Sequence, residues 1–224
     1  MYRLIAILFL CLSSHVSSQQ WSANVSLVSD YLFNGISQTN KSMAIQAGVD
    51  YLPTSNSYIG MWFSNVDYQN ASGEADFYYG FSLYDQDSVN LTVGLAHYTY
   101  WGDSASSDSN YSEINVNWNW RAFSLQSWYS NDYFGTDARH IILAASYSWQ
   151  LHENAMLSLT IDNSRSLDKQ LFSWSAGNDN YWHGKVSYHF QWQKMNLEIS
   201  YHQLNNEQLS EPSIHLQIKR TFAW

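Results

Sequence analysis

Glu113-Ile114-Asn115-Val116-Asn117-Trp118-Asn119-Trp120 alternates polar and apolar residues at every step. Successive side chains of an extended strand point to opposite faces. This octapeptide therefore predicts a strand with Ile114, Val116, Trp118 and Trp120 on one side and Glu113, Asn115, Asn117 and Asn119 on the other. The pattern repeats in both directions. Towards the amino terminus the apolar parity runs through Val89, Leu91, Val93 and Leu95, through Ala75, Phe77, Tyr79, Phe81 and Leu83, through Met43, Ile45, Ala47, Val49 and Tyr51, and through Trp21, Ala23, Val25 and Leu27. Towards the carboxyl terminus it takes in Ile141, Leu143, Ala145, Tyr147 and Trp149, then Leu157, Leu159 and Ile161. It ends with Trp182, Val186, Tyr188 and Phe190, with Leu197, Ile199 and Tyr201, and with Ile214, Leu216, Ile218, Phe222 and Trp224. Tyr58–Tyr68 and Phe123–Phe134 are strand-like but ambiguous in phase.

Twelve strands of about 10 to 13 residues result, long enough for the ~9–11 that a tilted membrane-crossing strand needs. Strands of soluble sandwiches run nearer ~5–6 residues. The connections alternate in length. Pro53–Ser57, Asp85–Ser88, Arg121–Ala122, His152–Asn154 and Gln193–Lys194 are short. Asn34–Ser42, Gln69–Gly73, Gly102–Asn110, Gly135–Ala138, Arg165–Asn180 and Asn205–Pro212 form the longer set, although Gly135–Ala138 is no longer than a short turn. Short turns on one side and longer loops on the other, with an even strand number, describe an outer-membrane barrel. The expected fold is all-β: one antiparallel transmembrane barrel over residues 19–224.

Composition agrees. Of 224 residues, 17% are aromatic and only 13% charged, with a net charge of −9. That excludes a disordered chain and, for want of a basic patch, a nucleic-acid binder. The aromatics fall at strand ends and predict two interfacial girdles. Trp21, Tyr51, Tyr58, Tyr84, Trp120, Phe123, Trp149, Trp192, Phe222 and Trp224 lie at the short-turn end. Tyr31, Phe33, Tyr68, Phe77, Trp101, Tyr111, Tyr133, Phe134, Tyr181 and Trp182 lie at the loop end. Residues 1–18 read as a secretory signal: Arg3, an apolar run from Leu4 to Leu12, then Val16 and Ser18 before a cut at Gln19. The single cysteine, Cys11, falls inside that signal. The expected location is the outer membrane of a Gram-negative bacterium, with its lipids and the barrel assembly machinery as partners.

Two blocks carry a resemblance. Ser29-Asp30-Tyr31-Leu32-Phe33-Asn34-Gly35-Ile36-Ser37-Gln38-Thr39 and Tyr58-Ile59-Gly60-Met61-Trp62-Phe63-Ser64-Asn65-Val66-Asp67 resemble the Gcw_chp family of bacterial proteins, whose function is uncharacterised. Gln46–Tyr51, Asn110–Glu113 and Tyr129–Gly135 extend the likeness, while Asn34 replaces the family's usual Arg. The resemblance implies an exported, outer-membrane protein and brings no catalytic residues with it.

The polar parity supplies the candidate lumen-lining residues. Six acids, Asp30, Asp50, Asp76, Glu113, Asp162 and Glu198, stand against Lys185 and Lys219, which predicts a lumen favouring cations or neutral polar solutes. His183, His189, His202 and His215 share that parity on the last three strands. Tight turns would set His189 opposite Glu198, His202 opposite His215, and Glu198 opposite Lys219. Without HExxH or similar spacing, a hydrogen-bonded network is expected rather than a metal site, and no cofactor. No GxSxG, Walker A or GxGxxG motif occurs. Passage of small polar solutes is the first expectation. A non-conducting barrel acting through its loops is the second, and an outer-membrane hydrolase the third.

Overall fold

The computed structural model describes residues 21–68, 70–103 and 105–224; the expected signal lies outside the described residues. Alternation produces a closed antiparallel barrel of twelve strands. They are β1 (Trp21–Val28), β4 (Ala44–Thr54), β5 (Ser57–Tyr68), β6 (Ala71–Gln86), β7 (Val89–Gly102), β8 (Tyr111–Trp120), β9 (Phe123–Ser130), β10 (His140–His152), β11 (Ala155–Ser166), β12 (Asn180–Trp192), β13 (Met195–Leu204) and β14 (Ser213–Ala223). Two further strands, β2 (Leu32–Phe33) and β3 (Ile36–Ser37), pair only with each other. Each barrel strand pairs with its sequence neighbour, and β1 closes the ring on β14 from Ser22↔Ala223 to Val28↔Gln217. Closure leaves no unpaired edge, which a strand in hydrocarbon requires.

Lengths differ from the sequence expectation. β1 and β9 have 8 residues, while β6 has 16 and β7 has 14. The loop expected at Gln69–Gly73 shrinks because pairing resumes at Ala71, opposite Tyr68. At the other end, Asp87 and Ser88 join β6 to β7 with φ of 51° and 67°. Positive φ at both central residues gives a turn whose twist matches that of the strands.

The barrel wall sorts side chains by parity. On β8, Ile114 and Val116 are exposed while Glu113, Asn115 and Asn117 are buried inside. The outward row (Ile45, Ile59, Leu95, Leu143, Ile161, Ile199, Leu216 and their neighbours) forms an apolar belt suited to lipid. The ambiguous strands also resolve. β5 turns Tyr58, Gly60, Trp62, Ser64 and Val66 inward, and β9 turns Ser124, Gln126, Trp128 and Ser130 inward.

Where β5 meets β6, two rings interlock with two glycines. Tyr58 is opposite Gly80 and Gly60 is opposite Tyr78. A Cβ on Gly80 would lie 2.1 Å from the Tyr58 ring, and one on Gly60 2.4 Å from the Tyr78 ring. Each ring thus covers the neighbouring backbone where a side chain would otherwise stand.

The loop-side girdle is the main correction. Phe77, Trp101 and Trp182 do face outward. Tyr31, Phe33, Tyr111, Tyr133, Phe134 and Tyr181 instead lie inside the barrel, in one buried cluster with Tyr98, Tyr100, Trp174 and Leu204. Their rings meet at 4.6 Å for Tyr98–Tyr111, 4.8 Å for Tyr111–Phe134 and 4.7 Å for Trp174–Tyr181, close to edge-on in the last case. Each such ring removes ~150–250 Å² from water, so apolar burial inside the mouth outweighs an interfacial seat.

Candidate passage through the barrel

Three layers fill the interior, and each follows from which loops fold inward. At the loop end the segment after β1 enters the barrel. Asp30 accepts hydrogen bonds from the Ser37 hydroxyl at 2.6 Å and the Thr39 hydroxyl at 2.8 Å, which draws the β2–β3 hairpin shut. Burial pushes the Asp30 carboxyl above its ordinary pKa, against the pull of those hydroxyls and of Lys41. Gly35, at φ +82°, reaches the floor of the mouth, where a Cβ would stand 2.4 Å from Leu204 and 2.6 Å from the His183 ring. Only glycine fits that approach and that dihedral. The Tyr181 hydroxyl donates to the Asn34 carbonyl at 3.2 Å and ties the hairpin to β12.

A second segment enters between β9 and β10. Phe134 takes φ +53° and remains buried, Tyr133 stacks on His140 at 3.8 Å, and Gly135 passes over Asp108. Hairpin and wedge together form an aromatic stopper in the loop half of the barrel.

Beneath the stopper lies a buried polar belt. Asp162 Oδ2 and His183 Nδ1 are 2.7 Å apart, His183 Nε2 and His202 Nδ1 are 3.0 Å apart, and His202 Nε2 and Ser200 Oγ are 2.9 Å apart. The His215 ring meets His202 at 5.9 Å between centroids. Lys185 Nζ sits 2.7 Å from Glu198 Oε1, and His189 Nδ1 is 3.4 Å from Glu198 Oε2. Among the described residues no three such side chains converge as metal ligands. The order Ser200–His202–His183–Asp162 has the sequence of an activated nucleophile. Ser200, however, is only 2% exposed, so in this conformation no substrate reaches its hydroxyl.

Tyrosines hold the remaining acids. Tyr78 donates to Asp50 at 2.6 Å, Tyr98 to Glu113 at 2.7 Å and Tyr100 to Glu74 at 2.8 Å. Asp76 is buried on β6 beside Glu74, and Lys219 is half-buried on the inner parity of β14. Asp30 lies between β1 and β2, at the stopper rather than on a barrel strand. Glu74 is a seventh inward acid that the sequence reading passed over. It lies between the expected loop Gln69–Gly73 and the expected strand from Ala75, and the structure places it within β6.

The histidine registers are met in part. His189 does face Glu198. His202 faces Ser213 and Glu198 faces Gln217, two residues away from the expected pairings with His215 and Lys219. The β13–β14 pairing centres between Glu207 and Gln208, one residue before the expected centre between Gln208 and Leu209, which shifts every pair by two.

The third layer, at the short-turn end, is half-buried and polar. Asn90, Asn119, Ser124, Gln126, Ser146, Ser148 and Ser158 line it on β7 to β11, while His189, Asn196 and Lys219 line the facing wall. Side-chain exposure thus rises from the buried belt towards this end.

Porins are among the solved structures similar to this one. The chain matches the KdgM porin with a TM-score of 0.59 over 91% of this chain and 99% of that one, at 6% identity. It matches the NanC porin with a TM-score of 0.58 over 91% and 99%, at 7% identity. A KdgM porin in complex with disordered oligogalacturonate gives 0.57 over 91% and 98%, at 6% identity. At such identity the likeness establishes the porin-type barrel fold and nothing of the solute. No curated protein sequence matches the chain. The family described as "Bacterial protein of unknown function (Gcw_chp)" matches residues 13–222, and the chain belongs to it.

Proposed function

We propose that this Gcw_chp barrel resides in the outer membrane and passes small cationic or neutral polar solutes, with its outer mouth held shut by its own loops. The observation that carries this reading is the combination of a closed twelve-strand ring, apolar outside, with a polar interior. A barrel serving only as an anchor has no need for buried Lys185, Glu198, Asp162 and four histidines, each of which is costly to desolvate. The sign of the interior supports the solute class. Inward acids outnumber Lys185 and Lys219, and there is no inward arginine on a barrel strand to greet an anion. The relative that takes oligogalacturonate, a polyanion, therefore differs from this chain in what it would admit.

A second reading has its own support. The folded-in hairpin and wedge fill the loop half, as in a barrel that works through its outer surface rather than its bore. Planar-bilayer recording separates the two. Passage predicts discrete conductance steps whose reversal potential in a salt gradient shows cation preference, weakening as salt screens the lumen. Anion-selective current would refute the charge argument, and the absence of current at any pH or voltage would favour the second reading.

A further inference from the structure

The short-turn half of the lumen is divided into two unlike walls. All of the lysine, histidine and carboxylate belt just described lies above it or on β12 to β14. Below Trp128, the wall formed by β7 to β11 carries amides and hydroxyls, with Met156 at its β11 edge. Strand register sets Asn90 beside Asn119, Asn119 beside Ser124, Ser124 beside Ser146, and Ser146 beside Thr160. A second row sets Thr92 beside Asn117 and Asn117 beside Gln126. With strands about 4.8 Å apart, five strands make an arc of roughly 19 Å.

The hydrogen bonding of this wall is incomplete in a particular way. Asn117 donates to Asn115 at 3.1 Å, Thr92 to Asn90 at 3.0 Å and Asn90 to Ser82 at 3.1 Å. Ser146 and Thr160 share a bond at 2.9 Å, and Ser148 and Ser158 one at 3.2 Å. Among the described residues, no protein group bonds to Asn117 Oδ1, Asn119 Oδ1 or Ser124 Oγ. Asn117 is only 4% exposed and stands behind the half-buried Asn119, Ser124 and Gln126, which form the accessible face of this wall. Leaving such atoms unmet costs free energy. One row above, Trp128 faces inward opposite Asn115, half-buried and packed against the lower side of the aromatic cluster.

We propose that the β7–β11 wall binds a neutral, polyhydroxylated solute, a short uncharged saccharide, entering from the short-turn end. Amides and hydroxyls each donate and accept, which matches a ligand whose every hydroxyl does the same. A cation finds no accessible carboxylate on this wall, since Glu113 and Asp162 are buried above it, 3% and 1% exposed, beside Tyr98 and His183. An anion finds no Lys or Arg there. The Trp128 ring offers an apolar surface for the C–H face of a sugar. The inference rests on the passage reading and narrows its solute class.

The test is calorimetric titration of the purified barrel in detergent. The probes are maltotriose, cellotriose and raffinose, with trigalacturonate and spermidine as charged counterparts. At least one neutral trisaccharide should bind, and more tightly than either charged probe. Asn119→Ala with Gln126→Ala, both half-buried positions, should weaken it at least fivefold. Trp128→Phe should weaken it less, and heat-modifiable migration verifies that each variant folds. Binding by none of the three neutral sugars, equal or tighter binding of a charged probe, or an unchanged affinity in the double variant would overturn the proposal. Conductance recorded on the same preparation reports separately on passage. Current without sugar binding removes this wall and leaves the route. Sugar binding without current under any condition removes the route and leaves the wall.

Discussion

Removing one partner of the Lys185–Glu198 pair should unbalance the interior. The two charged atoms are 2.7 Å apart, with side chains only 1% and 4% exposed. At that distance an effective dielectric of about 20 gives about 6 kcal/mol of attraction, most of it spent against desolvation. Glu198→Gln keeps the shape and removes the charge, so Lys185 is left buried beside a neutral amide. Stripping one member of a buried pair costs about 3–5 kcal/mol. The same change removes the carboxylate charge beside His189, which lies 3.4 Å from the other oxygen, and sets an amide to serve two neighbours, so Glu198→Gln should cost more than Lys185→Met. Lys185→Met combined with Glu198→Met should cost less than either single change, because no orphaned charge remains. Equilibrium urea unfolding in lipid vesicles measures all three. A loss below about 1 kcal/mol for Glu198→Gln, the range of water-screened pairs, would refute the assignment of this pair to a dry interior.

Three other outcomes follow from the geometry. Leu216 is exposed to lipid and Gln217 is buried opposite Glu198, so Leu216→Arg should cost roughly 2–4 kcal/mol near the midplane and Gln217→Arg less; equal folding yields would mean the phase of β14 is wrong. A Cβ on Gly135, at φ +66°, would lie 1.7 Å from the Asp108 carbonyl oxygen, so Gly135→Ala should lift the Tyr133–Phe134 wedge and raise single-channel conductance; unchanged conductance would show that this wedge does not close the mouth. Arg139 grips Asp168 with two side-chain bonds and one backbone bond of 2.8 Å each, holding that carboxyl down to about 2. A depressed carboxyl supports the loop above its unfolded pKa of about 4 and loses that support as pH falls through the folded value. Amide exchange at Leu167, corrected for intrinsic rate, should thus be flat from pH 8 to 5, and Asp168→Asn should raise it at neutral pH; a rise in the native chain between pH 8 and 5 would contradict the clamp.

The wall was legible because lipid and lumen impose opposite demands on alternate residues. Wherever both demands act, as along Ile114 to Trp120, the sequence displays the phase openly. Phase blurred in Tyr58–Tyr68 because Trp62 faces inward to meet Tyr31 at 5.3 Å, while Asn65 faces outward and caps the neighbouring backbone at Ile45 and Met43. The stopper was illegible for a related reason. Composition and spacing mark Tyr111, Tyr133 and Tyr181 as aromatics near a strand end, and a girdle and an internal plug put rings at the same height. Only tertiary packing of the loops decides which side they take. The candidate charges were visible by parity, whereas their tyrosine partners were not, since Tyr78, Tyr98 and Tyr100 look like any other ring in an aromatic chain. Cross-strand register in the last hairpin depends on how a long loop closes, and its two-residue error moved His202 from His215 to Ser213.

The interlocked rings of β5 and β6 act as a key and ward. Tyr58 fills the notch at Gly80, and Tyr78 fills the notch at Gly60. Sliding one strand by two residues would keep every side chain on its proper face, so parity alone does not forbid the slip. It would, however, bring Tyr58 opposite Tyr78 in one direction, ring against ring, or opposite Ser82 in the other, leaving both notches empty. The four residues thus count alignment where hydrophobicity cannot, during the search that precedes ring closure. They also couple two distant positions: a side chain at Gly80 must displace the Tyr58 ring from its notch.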